Sequence, residues 1–235
     1  MIPFTDRTAA GKALAAELMK HKPRDAIILA LPRGGVPVAL EIARALAAPL
    51  DLVLVRKIGA PGFEELAIGA IADGPEPELV TDPQLIRRLR VPREWVEQTR
   101  AREMAEMERR RKAYLQGRPH PDIGGKVAIL VDDGLATGAT MLAALRATRR
   151  RNPARLIVAV PVGAADSVAR IAAEADEVLC LRAPEDFGSV GQHYRHFPQL
   201  RDEEVTSLLD QAAVMLVRNP STSGDSGAAV SSANS

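Results

Sequence analysis

Two adjacent carboxylates, Asp132 and Asp133, stand between an apolar run, Val127-Ala-Ile-Leu-Val131, and a loop of small residues, Gly134-Leu-Ala-Thr-Gly-Ala-Thr140. Residue types in that order suit a phosphorylated sugar. Paired acids can accept hydrogen bonds from neighbouring sugar hydroxyls or face a magnesium ion. Glycines let backbone N–H groups approach an anion, and Thr137 and Thr140 add hydroxyls. If a helix opens there, its free N–H groups and positive dipole end favour a phosphate by about 0.3 to 1 kcal/mol per charge at the surface. The plainest alternative is a strand-to-helix turn whose acids merely cap the helix. Another, the magnesium-binding strand of a P-loop ATPase, needs a G-x-x-x-x-G-K-[ST] partner, and the sequence has none.

Positioning these residues takes a sheet. The run 127–131, bounded by Gly124-Gly125 and Gly134, predicts a strand buried on both faces of a parallel sheet. Asp132 and Asp133 then sit at its carboxyl end, where open α/β sheets bind ligands. Further strands are predicted over 26–31, 50–55, 155–160 and 177–181, and helices over 6–20, 36–47, 139–151 and 164–174. This alternation is an α/β pattern: a mostly parallel five-stranded sheet flanked by helices. Between Phe63 and Val80, Leu66, Ile68 and Ala70 alternate with Ala67, Gly69 and Ile71, which leaves an extra hairpin open.

Two other segments carry charge to strand ends. Leu31-Pro-Arg-Gly-Gly-Val-Pro37 follows the first strand. Alone it is a tight turn, but Gly34 and Gly35 permit backbone approach to an anion and Arg33 is always charged. Arg56 and Lys57 close the strand 50–55, either as a solvated pair or, with Lys57 favoured, as a ligand contact. Gly59-Ala-Pro-Gly62 behind them is expected to be a loop able to move over the site and exclude water.

Val131-Asp-Asp-Gly-Leu-Ala-Thr-Gly-Ala-Thr140 resembles the phosphoribosyl pyrophosphate signature of the type I phosphoribosyltransferases. The resemblance extends over roughly residues 5 to 217, is strongest at 127–140, and implies that family's fold. It assigns Asp132 and Asp133 to the ribose hydroxyls and Ala136, Thr137, Gly138, Ala139 and Thr140 to the 5′-phosphate. Arg33, Gly34 and Gly35 become the pyrophosphate loop, with Lys57 reaching the pyrophosphate. The implied reaction moves the 5-phosphoribosyl group from phosphoribosyl pyrophosphate to a nitrogenous base or related acceptor and releases pyrophosphate. Mg2+ would be held by the donor and by Asp132 and Asp133. Oxopurine-using members carry an Asp where this chain has Ala136, which disfavours an oxopurine acceptor. Homodimers are common among such enzymes, so the resemblance implies one here.

Composition bounds the rest. With 235 residues and 46% apolar content, the chain reads as one domain over 1–218 with a helical insertion near 82–118, followed by a polar tail, 219–235, expected to be disordered. A formal charge of +1 gives no global pull toward nucleic acid or membrane. No leader or apolar span of eighteen residues is visible, and a lone Cys180 excludes an internal disulfide, so a cytoplasmic protein is expected.

Two segments could complete the site. Pro184 to Leu200 holds Phe187, Tyr194 and Phe197, three of the chain's seven aromatic residues. With Gln192 they form either a hood that stacks on an acceptor base or a small satellite core. His193 and His196 lack the companions of a metal site. The second segment is a helix over 92–115 within 84–118, which carries eleven Arg/Lys against five Glu. It is either a solvated helix with one packed edge or a basic surface for RNA. The latter supports the alternative function, a phosphoribosyl pyrophosphate sensor that binds RNA without turnover.

Overall fold

In a computed structural model, residues 2–21, 23–73, 77–118 and 120–218 are described. The core is a five-stranded sheet in the order β2-β1-β6-β7-β8, formed by β1 (Ala26–Ala30), β2 (Leu50–Leu52), β6 (Val127–Val131), β7 (Arg155–Val160) and β8 (Glu177–Cys180). Every pairing in it is parallel. Apolar runs fill the central strands because both faces are covered, and β1 and β6 bury nearly every residue. On one face lie α1 (Arg7–His21) and α2 (Gly35–Leu46), while α5 (Ala139–Arg149) and α6 (Ala165–Ala172) belong to the crossovers that follow β6 and β7. The register pairs Ala30 with Val131, so the loops leaving β1 and β6 emerge side by side.

The predicted strand 50–55 is corrected. Only Leu50–Leu52 joins the main sheet; the chain turns at Val53–Leu54 and enters a separate antiparallel sheet of β3 (Val55–Ala60), β4 (Phe63–Ala72) and β5 (Glu78–Thr81). Asp73 fixes the departure point. Its Oδ1 accepts the Leu54 N–H at 2.8 Å while its own N–H donates to the Leu54 carbonyl at 2.9 Å. Gly59-Ala-Pro-Gly62 is likewise no open loop. Gly59 and Ala60 belong to β3, and Pro61-Gly62 is the two-residue turn into β4, with Gly62 at φ 74°.

Helix α3 (Pro83–Arg88) and the long α4 (Arg93–Leu115) follow. The packed edge of α4 is Thr99, Glu103, Met107, Tyr114 and Leu115, four of them spaced at four or seven residues. Buried Glu103 accepts from Arg56 Nε at 2.8 Å, and Trp95 Nε1 donates to the Gly59 carbonyl at 3.0 Å, which docks α4 on β3. The chain then returns through α7 (Asp202–Arg218), whose Val205, Leu209 and Ala212 are buried, with α2, α4 and β2 as its neighbours. Glu204 starts this helix by reaching back to the Arg201 N–H at 2.8 Å. Among the described residues no helix is long and apolar enough to cross a membrane. The tail 219–235 lies outside the described residues.

Candidate functional site

The loop after β6 is held open from behind. Ser167 Oγ donates to the Ala136 carbonyl at 2.6 Å, and Arg170 Nη1 donates to the Thr137 carbonyl at 3.2 Å. In a trans peptide the N–H points opposite to its carbonyl, so the N–H groups of Thr137 and Gly138 are turned away from α6. Gly138 has φ 73°, a left-handed conformation that swings the backbone into α5. Among the described residues no acceptor takes the N–H of Ala136, Thr137, Gly138, Ala139 or Thr140. Five successive amides without an internal acceptor at a helix start are an arrangement that can receive an anion.

Beside them stand the acids. Asp133 N–H donates to Asp132 Oδ1 at 2.8 Å, and Asp133 Oδ2 accepts from Arg7 Nε at 2.8 Å. Both partners of that ion pair are nearly buried, with side chains 10% and 14% exposed. Burial, followed by the charge of Asp133, pushes the Asp132 carboxyl well above the usual range. Burial also raises Asp133, and the Arg7 guanidinium opposes part of that rise.

The loop after β1 packs directly on these carboxylates. Leu31 N–H continues the sheet to the Val131 carbonyl at 2.9 Å, the Pro32–Arg33 peptide is cis, and the Gly35 N–H returns to the Leu31 carbonyl at 3.0 Å. A methyl group at Gly34 would overlap the Asp133 carboxylate, and one at Gly35 would lie 2.5 Å from the Val131 oxygen. Arg33 Nη1 lies 3.6 Å from Asp202 Oδ1, which also accepts the Tyr114 hydroxyl at 2.5 Å. The structure therefore brings Gly34 and Gly35 against Asp132 and Asp133, at the root of the loop 134–140, while the Arg33 side chain turns to Asp202. Lys57, exposed on β3, makes no hydrogen bond or ion pair with either loop.

The 184–200 segment contains a satellite core, and Tyr194 is corrected out of the acceptor pocket. Its ring is buried between Phe4 and Phe197, with centroids 5.8 and 4.8 Å away, and its hydroxyl donates to the Asp133 carbonyl at 2.6 Å. Phe187 stacks on His193 at 5.3 Å, so one of its faces is taken. Gln192 stays exposed, its amide folded against Gly188. Val190 covers Gly134, leaving no room for a side chain there. Among the described residues no group of three His, Cys, Asp or Glu could hold a metal ion. Cys180 is half-buried with its thiol raised by burial, consistent with packing.

Arg7 is the site residue that sequence reasoning passed over. It donates to Asp133 and, through Nη1, to the Pro198 carbonyl at 2.8 Å, and it lies 3.7 Å from the Phe197 ring centroid. One signal was available. Asp6 Oδ1 caps α1 through the Ala9 N–H, which puts an arginine in a first turn whose dipole favours acids. A cation placed there needs an anion nearby.

A family model described as "Phosphoribosyl transferase domain" matches residues 5–195. Two Mycobacterium tuberculosis proteins, MT0597 of strain CDC 1551 / Oshkosh and Rv0571c of strain ATCC 25618 / H37Rv, are each 42% identical over 209 residues, 89% of this chain; both are named provisionally as phosphoribosyl transferases. The chain spans about half the length of these curated relatives, 47% in each case. The crystal structure of TT1426 from Thermus thermophilus is 42% identical and aligns over 89% of this chain and 99% of that one, with a TM-score of 0.77. With a five-stranded parallel sheet flanked by helices and a family match that runs through both loops, the chain belongs to the phosphoribosyl transferase family.

Proposed function

We propose that the protein transfers the 5-phosphoribosyl group from phosphoribosyl pyrophosphate to a nitrogenous base or related acceptor, releasing pyrophosphate. The observation that carries this reading is the row of unpaired amides at Ala136–Thr140, contiguous with the Asp132–Asp133 pair on which Gly34 and Gly35 pack. The amides and the hydroxyls of Thr137 and Thr140 take the 5′-phosphate. Asp132 and the free oxygen of Asp133 take ribose hydroxyls, and Arg33 with the Gly34 amide takes the pyrophosphate, the Gly35 N–H being held by the Leu31 carbonyl. As the glycosidic bond breaks, carboxylates fixed beside the ring favour its oxocarbenium character, while Arg33 and Lys57 favour charge on the departing group.

Magnesium fits this residue set in a limited way. Mg2+ is characteristically held by one or two carboxylates together with substrate phosphates. Asp132 and Asp133 supply that, and Asp132 is the freer of the two because Asp133 is committed to Arg7. The ion would add positive charge against the pyrophosphate.

The alternative, a sensor that binds RNA, drew on the basic helix. Six ion pairs within α4 tie its cations to Glu97, Glu103, Glu106 and Glu108, and this favours a solvated helix.

The test is pyrophosphate release from phosphoribosyl pyrophosphate and magnesium, with and without a pool of purine and pyrimidine bases. Release that depends on the pool supports the transferase, release without bases points to water as acceptor, and no release with tight donor binding favours the sensor.

A further inference from the structure

The carboxylate of an aspartate turns easily about its last bond, so an acid in a loop presents no oxygen in a fixed direction unless something holds it. Asp133 is held twice over. Its N–H donates to Asp132 Oδ1 at 2.8 Å and its carbonyl accepts the Tyr194 hydroxyl at 2.6 Å, which pins the backbone on both sides of the residue. Gly34 closes the space beside Oδ2, and Arg7 Nε donates to that same oxygen at 2.8 Å. Among the described residues no amide or guanidinium donates to Oδ1.

Arg7 is itself held at three points. Besides Nε on Asp133, Nη1 donates to the Pro198 carbonyl at 2.8 Å, and the guanidinium carbon lies 3.7 Å from the centroid of the Phe197 ring. That ring in turn stacks on Tyr194, with centroids 4.8 Å apart. Two hydrogen bonds set the direction of the guanidinium within its plane, and the ring face sets the tilt of the plane. A lysine ammonium would offer the same charge without a plane. A point charge follows a turning carboxylate, whereas a planar fork tethered elsewhere resists the turn.

We propose that Arg7 is a positioning residue that gives the site its preference for ribose over deoxyribose: by holding Oδ2 it aims Oδ1 of Asp133 at one sugar hydroxyl. A fixed acceptor rejects a sugar that lacks the hydroxyl, because the acceptor is then left desolvated and unpaired. An acceptor free to turn recovers part of that loss by reaching water or another donor. This role rests on the phosphoribosyl reading of the loop at 136–140. It places control of hydroxyl selectivity on α1 and on residues 197 and 198, outside both loops.

Titration calorimetry of the whole chain with ribose 5-phosphate and with its 2-deoxy and 3-deoxy forms, magnesium present, tests this role directly. The parent is expected to bind ribose 5-phosphate at least about tenfold tighter than one of the two deoxy sugars, the scale of one hydrogen bond to a charged group. Arg7→Lys keeps a cation beside Asp133 and should cut that ratio to about threefold or less, with affinity for the rejected deoxy sugar held within about threefold of the parent. Phe197→Leu removes the ring against the guanidinium and neither hydrogen bond. It should lower the ratio in the same direction, and it carries the test should Arg7→Lys not fold. A merely structural role for Arg7 would weaken all three sugars alike and leave the ratio at its parental value, which would overturn the role while the phosphoribosyl reading stands. Equal binding of the three sugars by the parent would overturn it as well. Binding of none of them removes the phosphoribosyl reading and this role together.

Discussion

Gly34 and Asp133, ninety-nine residues apart, are packed so closely that the α-hydrogen of one faces the carboxylate of the other, and no β-carbon fits at position 34. The two loops of the candidate site are one packed unit, so a change in either displaces the other. Gly34→Ala must push Asp133 off Arg7. Donor affinity measured by calorimetry is expected to fall at least about tenfold, and an unchanged dissociation constant would separate the loops functionally.

The Arg7–Asp133 pair is nearly buried on both sides, and removing one partner of such a pair costs about 3 to 5 kcal/mol. Arg7→Met should therefore lower the melting temperature more than Asp133→Asn, which keeps a hydrogen-bond acceptor for the guanidinium. In the double variant the two losses should sum to less than their separate values. Strict additivity would show that the pair is not coupled.

Turnover should respond differently. Asp133→Asn loses a hydroxyl anchor and a negative charge beside the ring, a fall of about 10²-fold or more in kcat. Turnover within a factor of two of the parent removes Asp133 from the proposed chemistry.

Asp132 has the opposite balance of stability and function. Its carboxyl is raised by burial and by Asp133, so the folded state prefers it protonated, and that preference destabilises the fold as pH rises above the ordinary carboxylate range. Asp132→Asn should raise the melting temperature at pH 7 while abolishing donor turnover. A lower melting temperature at pH 7 would mean that Asp132 stabilises the fold as an ion.

Asp73 gives a pH signature away from the site. Burial raises it to about 6, opposed by the Leu54 N–H and by His120; Asp51, which accepts from His120 at 2.7 Å, raises it further, and Arg111 lowers it. A raised value means stability fully present below about pH 4 and lost as pH climbs through 6, at most about 3 kcal/mol for this span. Asp73→Asn retains an acceptor for Leu54 and should flatten stability between pH 4 and 6 in urea titrations. An undiminished slope there would assign it to other groups.

The rear support of the loop at 136–140 can be probed alone. Ser167 is buried and its hydroxyl holds the Ala136 carbonyl, so Ser167→Ala should raise KM for the donor several-fold, change kcat little, and cost about 1 kcal/mol of stability. A kcat loss at constant KM would place Ser167 in the chemical step.

The strands 127–131 and 155–160 were legible to the residue because continuous apolar runs between turn residues have one stable home, a sheet covered on both faces. Residues 33–35 and 132–140 were joined in advance only through the family resemblance; the parallel pairing of Ala30 with Val131 is what delivers both following loops to one edge. The strand at 50–55 was not legible, since Val53 and Leu54 are as apolar as Leu52 and the switch between sheets is set by a carboxylate at position 73. Tyr194 and Arg7 were harder still. An aromatic residue in a loop suits a stack or a core equally until its neighbours are known, and the partner of Arg7 lies 126 residues away.

That separation bears on how the site is born. Arg7 is tied both to residue 133 and to residue 198, so a ribosome-bound chain synthesised only through α5 has the loop 136–140 but neither the Pro198 anchor of Arg7 nor the Tyr194 hydroxyl beneath Asp133. Residues 184–200 add the Tyr194 hydroxyl under Asp133 and the carbonyl that anchors Arg7, to a pair on which Gly34 and Gly35 already pack. The candidate site is therefore completed only when the segment 194–198 is in place.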